Sequence, residues 1–337
     1  MHTKDATPAH RLRIKQNIIW GLCLLLWAPS MAEARDNQEP SAPGAILKVT
    51  SEVVNVYAVV RKHGRLISNL DKDDFRLEED NKPQVIRYFA READAPLAMG
   101  ILVDTSPSQD RVLEVERTEA KAFLQEVMRP TDRTFVLRFD VEVELLQDLT
   151  ADQPQLDKAI EACAVNSGGV TTLPGTVPSG GAGGATHLFD GVYLSARELL
   201  KNEVGRKVLI LLTDGEDQGS EVKLDAAIEA AQKSDTIIYS INISDPSFYS
   251  GLGMGFRGNS ILRKLSEETG GRVIQAKNVE ATSLAFHQIA DELRTQYVLG
   301  YTPSNTLLDG AFRQIEVKVH AGGVKVNHRR GYYAPEG

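Results

Sequence analysis

Apolar and polar residues alternate along residues 45–95, which is the pattern of strands that bury one face. The alternation is regular in VVNVYAVV (53–60), and two shorter strand-like runs flank Asp80-Asn81, a pair of residues typical of turns. No segment of this region has apolar residues at helical spacing over a useful length. The pattern therefore predicts a small β unit.

The pattern changes at Ala95-Pro96. The segment LAMGILVD (97–104) is apolar up to its last residue, as expected of a strand that is covered on both faces. Helix-like segments, such as 109–129 and 187–202, then alternate with strand-like segments as far as about residue 295. This alternation predicts an α/β domain with a doubly wound, mostly parallel sheet.

Strand-like segments return after residue 296, in QYVLGYTP, FRQIEVKVHA and VKVNHRRGYY. Two or three strands at each end would be marginally stable alone, so we expect both ends of the chain to form one β unit that flanks the α/β domain. Within the last segment, the basic cluster NHRRG (327–331) is interpreted as a solvated turn.

The N-terminal residues have the layout of a secretory signal peptide. Arg11, Arg13 and Lys15 precede the apolar run 18–28, and cleavage is expected after Ala34. The run is short for a membrane span, which needs about 20 residues, and an uncleaved anchor is the alternative. We expect an exported protein, periplasmic or extracellular, with no membrane span after cleavage.

These patterns divide the chain into five parts. The predicted parts are a signal peptide (1–34), a flexible lead-in (35–44), an N-terminal β unit (45–95), an α/β domain (96–295) and C-terminal strands (296–337) that pack with the N-terminal β unit. Cleavage would remove four basic and two acidic residues, so the net charge of −8 would become −10. Nucleic acid is a poor partner for such a chain, because phosphate contacts need clustered Lys and Arg.

Oxygen-bearing side chains stand at three places in the α/β domain where a strand ends or a helix begins. In an open parallel sheet, ligands bind beyond the carboxyl ends of the strands, where these side chains are predicted to meet. Two carboxylates and three hydroxyls are hard ligands that favour Mg²⁺, with Mn²⁺ or Ca²⁺ as alternatives, and argue against zinc. Taken singly, each would be explained by a helix cap or a turn. The candidate ligands are Asp104, Ser106, Ser108, Thr186 and Asp214.

The motif D-x-S-x-S at 104–108, with Thr186 and with Asp214 in LLTDGED, resembles the metal-ion-dependent adhesion site of von Willebrand factor type A domains. The segments TFVLRFDVEVELLQDLT and GGATHLFDGVYLSARELL are similar to the second and third strands and to the Gly-rich loop and helix of that Rossmann-like fold. The resemblance covers about residues 96–295. The flanks resemble a bacterial group of exported proteins related to this family.

The resemblance implies a role for each candidate ligand. Ser106 and Ser108 would bind the cation directly through their hydroxyls. Asp104 and Asp214 would act partly through water, and Thr186 would approach or leave the ion with the state of the bound ligand. An ion held mostly by neutral hydroxyls would then accept an Asp or Glu side chain from a protein partner.

Three further residues, Gly183, Gly184 and His187, would form the rim of this site, where the partner binds. The chain departs from the family pattern at Pro107, where glycine is common, and at Gln109, where methionine is frequent. Proline is compatible with a turn there, although it restricts the loop.

We therefore expect a non-enzymatic, exported protein whose divalent cation binds an acidic residue of a protein partner. One alternative is a scaffold of the cell envelope with a structural metal. A second is a metal-assisted hydrolase, for which His187 is the neighbouring base in the sequence.

Overall fold

A computed structural model describes residues 53–91, 95–165, 185–243 and 258–337. All of them lie within one compact unit, Val53–Gly337. The predicted signal peptide, the lead-in and the predicted rim residues Gly183 and Gly184 lie outside the described residues.

The described residues contribute five strands before the α/β domain. Asp80 and Asn81, with φ angles of 48° and 62°, form the tight turn between the third and the fourth of these strands. Asn and Asp adopt this left-handed conformation more readily than other residues with a side chain, and the predicted turn is confirmed. The strands are β1 (Val54–Lys62), β2 (Arg65–Leu66), β3 (Phe75–Glu79), β4 (Lys82–Gln84) and β5 (Ile86–Arg91).

The α/β domain is built on a sheet to which the described residues contribute six strands. They are β6 (Leu97–Asp104), β7 (Arg133–Phe139), β8 (Val143–Thr150), β9 (Arg206–Thr213), β10 (Thr236–Asn242) and β11 (Val273–Gln275). Their spatial order is β11-β10-β9-β6-β7-β8. Every neighbouring pair is parallel except β7 with the edge strand β8.

Helices cover both faces of this sheet. They are α1 (Leu113–Val127), α2 (Gln153–Ala162), α3 (Leu188–Leu194), α4 (Leu224–Lys233), α5 (Gly258–Thr269) and α6 (Val279–Arg294). Met99 and Ile101 of β6 share a core with α1, α2 and α6, whereas Ala98 and Leu102 share a core with α3, α4 and α5. Every residue of β6 is therefore buried, and the predicted doubly wound α/β fold is confirmed.

The single helix predicted at 187–202 is only partly correct, because α3 ends at Leu194 and the chain continues as a π-helix, Ser195–Leu200. The buried apolar residues of this segment follow each other at intervals of four in α3 and in the π-helix alike. The residues are Leu188, Val192, Ala196 and Leu200.

Among the described residues, none of the helices has the length and apolar character needed to cross a membrane.

Four strands after the α/β domain return to the first five. They are β12 (Tyr297–Tyr301), β13 (Phe312–Val319), β14 (Val324–Asn327) and β15 (Gly331–Tyr333). β1 pairs with β12 and β14, β12 also pairs with β5, and β13 pairs with β3 and β15. The two resulting sheets share one core, to which Val56, Phe75, Tyr297 and Ile315 contribute. The flanking β unit is thus built from both ends of the described chain, as predicted.

The interpretation of the basic cluster at 327–331 as a solvated turn is wrong, because His328 and Arg329 are buried. Arg329 forms an ion pair with Asp235, which directly precedes β10. Its Nη2 also donates a hydrogen bond to the carbonyl oxygen of Asn55 on β1 at 2.8 Å. Arg329 thus joins the flanking β unit to the α/β domain.

Candidate metal centre

The carboxyl ends of β6 and β9 lie side by side and carry two of the candidate ligands. Val103 pairs with Leu212 in the parallel register of these strands, so Asp104 and Thr213 are neighbours at the edge of the sheet. Asp214 follows Thr213 directly. The two aspartates are both buried at this edge. Their meeting here was predicted, because each one stands at the carboxyl end of an apolar strand.

The loop after β6 brings two hydroxyl groups together. Pro107 begins a short 3₁₀ helix, Pro107–Gln109, for which its fixed φ angle is suited. The backbone N–H of Ser106 donates to Asp104 Oδ1 at 2.9 Å, and the Oγ atoms of Ser106 and Ser108 are 3.0 Å apart. The Ser106 side chain does not cap this short helix, so a capping role does not explain its hydroxyl.

Thr186 reaches the same edge through contacts with two loops. Its backbone N–H and carbonyl form hydrogen bonds with Gln218, in the loop after β9, at 3.0 and 2.9 Å. The backbone N–H of the next residue, His187, donates to the carbonyl of Asp140 at 2.9 Å. The Asp140 carboxylate in turn accepts a hydrogen bond from the Thr105 hydroxyl at 2.7 Å. The three polar clusters singled out in the sequence therefore lie at one edge of the sheet.

Two buried carboxylates determine the electrostatics of this edge. Asp104 Oδ2 accepts a hydrogen bond from the Thr213 hydroxyl at 2.6 Å, and Asp214 Oδ1 accepts the backbone N–H of Glu216 at 3.1 Å. Burial, followed by repulsion from Asp214, raises the pKa of Asp104 to about 7, although hydrogen bonds from Ser106 and Thr213 oppose the shift. The hydrogen bonds therefore do not fully compensate the negative charge.

Gly258, the first residue of α5, packs against the loop that carries Asp214. A Cβ atom at Gly258 would lie 2.1 Å from the carbonyl oxygen of Asp214, so any side chain would push this loop away. The backbone N–H of Gly258 also donates to Glu216 Oε1 at 2.8 Å. The start of α5 thus fixes the position of the Asp214 loop.

The sequence predicted no role for two buried polar side chains that lie beside the aspartates. Gln109 Nε2 donates to Asp214 Oδ2 at 2.9 Å and to Ser108 Oγ at 3.1 Å. Glu116 of α1 is fully buried, and within the described part of the chain neither of its carboxylate oxygens has a hydrogen-bond partner. Burial raises the pKa of Glu116 well above its usual range, and the charges of Asp104 and Asp214 raise it further.

Both of these residues leave a signal in the sequence. Glu116 stands at helical spacing among Leu113, Ala120 and Leu124, which form the buried face of α1, so a carboxyl group interrupts an apolar stripe. Gln109 occupies a position where methionine is frequent in the family that the motif resembles. Thr213 and Gly258 leave no comparable signal, because their roles depend on contacts with distant segments.

His187 is the predicted rim residue that the structure describes. Its side chain is 24% exposed, its Nδ1 lies 3.8 Å from Asp190 Oδ2, and its Nε2 faces Gly219. The Ser106 hydroxyl pairs with the Ser108 hydroxyl at 3.0 Å.

Residues 99–292, more than half of the chain, match the family model of the von Willebrand factor type A domain. The chain belongs to this family. The matched region of the von Willebrand factor type A domain runs from within β6 into α6 and includes all five candidate ligands. A search of curated proteins finds no sequence that matches the chain.

Solved structures similar to this von Willebrand factor type A protein are distant in sequence. Proximal thread matrix protein 1 from the mussel byssus is 15% identical, with a TM-score of 0.48, over 64% of this chain and 51% of that protein. This chain thus spans about half the length of the mussel protein. A von Willebrand factor type A protein from Catenulispora acidiphila is 14% identical, with a TM-score of 0.46, over 78% of this chain and 73% of that one. An aerotolerance-related membrane protein from Bacteroides fragilis is 18% identical, with a TM-score of 0.41, over 58% of this chain and 99% of that protein.

Proposed function

We propose that this von Willebrand factor type A protein binds a divalent cation at the carboxyl ends of β6 and β9 and, through it, an Asp or Glu side chain of a protein partner. The ion would be held by Ser106 and Ser108 directly, by Asp104 and Asp214 partly through water, and by Thr186. The protein would act after export, in the periplasm or outside the cell.

The distance between the two serine hydroxyls is the observation that carries the proposal. Two neighbouring ligands of an octahedral Mg²⁺, each about 2.1 Å from the ion, lie about 3.0 Å apart. The Oγ atoms of Ser106 and Ser108 are 3.0 Å apart. The serine pair is therefore compatible with Mg²⁺, or with Mn²⁺ of similar size.

The buried carboxylates supply the attraction for the ion. Asp104 and Asp214 repel each other where little water can screen them, and a divalent cation would compensate both charges. The direct ligands are neutral hydroxyls, so an ion bound there keeps much of its charge. A carboxylate is the group that such an ion attracts most strongly, which is why the proposed partner offers an acidic side chain.

Calorimetric titration of Mg²⁺ into the purified protein tests ion binding. We expect one ion per chain, and an affinity at least tenfold lower in Ser106→Ala and Asp214→Ala, because changes at or beside metal ligands cost about 10–100-fold. Ser304→Ala, which removes an exposed hydroxyl in the flanking β unit, is the matched control and should bind as the wild type does. Equal titrations for all four proteins would overturn the proposal.

Partner binding is tested separately with a short peptide that contains one Glu, compared with the same peptide carrying Gln. We expect the Glu peptide to bind the protein in Mg²⁺ and not in EDTA, and the Gln peptide to bind in neither. A protein that binds Mg²⁺ but does not distinguish the two peptides would have a structural ion, as in the scaffold alternative.

A further inference from the structure

The side-chain amide of Gln109 contacts two of the proposed cation ligands at once. Its Nε2 lies 2.9 Å from Asp214 Oδ2 and 3.1 Å from Ser108 Oγ, and the whole residue is buried. An amide N–H carries a partial positive charge and takes up an acceptor lone pair on each oxygen. The same lone pairs, and the negative charge of Asp214, would attract a metal ion.

We propose that the Gln109 side chain competes with the divalent cation for Asp214 and Ser108 and so lowers the affinity of the site for the ion. The inference rests on the proposed function, since it needs an ion to compete with. Gln109 acts as a positioning residue. The ion displaces its hydrogen bonds to Asp214 and Ser108, and the free energy of displacing them lowers the affinity for the ion.

The competition follows from charge and distance. A hydrogen bond from a neutral amide to a carboxylate is stronger than one between two neutral groups, and burial of Gln109 and Asp214 strengthens it further. An ion bound by Ser108 and Asp214 would lie beside the positive end of the amide dipole, and the two would repel each other at low dielectric constant. We therefore expect Nε2 to withdraw from at least one of its acceptors when the ion binds.

The other end of the amide does not oppose this withdrawal. Within the described part of the chain, Gln109 Oε1 is buried without a hydrogen-bond partner, so only the bonds of Nε2 hold the amide in its orientation. A turned amide would direct Oε1 toward the ion and Nε2 away from it. The buried Oε1 without a partner thus has an explanation in the ion-bound state.

The test compares Gln109→Met with the wild type in two measurements, the dissociation constant for Mg²⁺ and the melting temperature in EDTA. Met has a similar length but no N–H donor. We expect Gln109→Met to bind Mg²⁺ about tenfold more tightly, because one buried hydrogen bond to a charged group no longer has to be broken. We also expect a lower melting temperature in EDTA, and a larger increase on addition of Mg²⁺ than in the wild type. Gln125→Met, at an exposed position of α1, is the matched control and should change neither measurement.

The outcomes separate this inference from the proposed function. A wild type that binds no Mg²⁺ would overturn both. A wild type that binds Mg²⁺, with a Gln109→Met variant that binds it equally or more weakly, would overturn the inference alone. A purely structural role would lower the melting temperature equally with and without Mg²⁺. If Gln109→Met does not fold, Gln109→Leu, which also lacks the donor, is expected to show the same tighter binding, and unchanged or weaker binding by that variant would count against the inference.

Discussion

Glu116 of α1 is a buried carboxyl group without a hydrogen-bond partner among the described residues, and it should make stability depend on pH. Its pKa is raised in the folded protein by burial and then by Asp104 and Asp214, so the folded chain holds the proton more tightly than the unfolded chain. The resulting stabilisation is complete below the unfolded pKa of about 4.3. It is lost as the pH rises through the folded pKa, by up to about 1.4 kcal/mol per pH unit.

We expect Glu116→Gln, which cannot ionise, to remove this loss. Urea unfolding in EDTA at several pH values between 4 and 7 measures the effect. The difference in free energy of unfolding, variant minus wild type, should increase as the pH rises above the unfolded pKa of about 4.3. A difference that is the same at every pH would mean that Glu116 does not change its protonation on unfolding.

At the scale of single residues, the sequence identified the candidate ligands but not the groups that orient them. Asp104, Ser106 and Ser108 stand in one short motif at the end of an apolar strand, so their proximity follows from local structure. Gln109 and Thr213 act on aspartates that are 105 and 109 positions away along the chain. Only the folded chain shows which distant acceptor a buried donor meets.

At the scale of secondary structure elements, the contact between the start of α5 and the loop after β9 should control the ion affinity. Gly258→Ala would place a Cβ atom 2.1 Å from the Asp214 carbonyl oxygen, and a contact this short with backbone must move the loop. We expect the free energy of unfolding to fall by about 1–3 kcal/mol, as overpacking usually costs, and Mg²⁺ to bind about tenfold more weakly.

Gly322→Ala is the matched control for this prediction, because a Cβ atom at Gly322 would meet nothing within 4 Å. Thermal unfolding and Mg²⁺ titration of the two variants provide the comparison. If Gly258→Ala were destabilised but bound Mg²⁺ with wild-type affinity, the position of the Asp214 loop would not depend on α5.

A strand that is buried on both faces could be predicted from the sequence almost to the residue. β6 is covered by helices on both faces, so its apolar run and its polar exit mark both of its ends. The division between α3 and the π-helix could not be predicted. Buried residues at intervals of four fit either kind of helix over a few turns, and the choice is made by packing against the sheet.

At the scale of the whole molecule, Arg329 connects the flanking β unit to the α/β domain. We expect Arg329→Met to lower the free energy of unfolding by about 1–3 kcal/mol, because it removes the bond to the Asn55 carbonyl and the pair with Asp235. The Asp235 carboxylate is 62% exposed and can be hydrated, so the loss should be smaller than for a fully buried ion pair. Arg330→Met, one residue along and exposed, should be nearly neutral in the same urea titration. Equal effects of the two substitutions would contradict the connecting role.

The sequence predicted the flanking β unit from both ends of the chain, but it did not predict this connection. Alternating apolar residues are visible in each end separately, and the two or three strands expected at each end would be marginally stable alone. Whether an arginine is buried depends on the partner that the other elements bring to it. In the cluster 327–331 that partner is a residue of the α/β domain, and no local pattern indicates it.

A ribosome makes β1 to β5 long before β12 to β15. The Tyr297 hydroxyl, for example, donates to the carbonyl of Ile67, which is 230 positions earlier. Until the last strands emerge, β1 and β5 carry N–H and C=O groups without their strand partners, and such edges are templates for pairing with other chains. The α/β domain between them can fold in the meantime as a unit. Aggregation during synthesis is therefore expected to be greatest just before the segment 296–337 is complete, and a chain interrupted there would keep its first strands exposed.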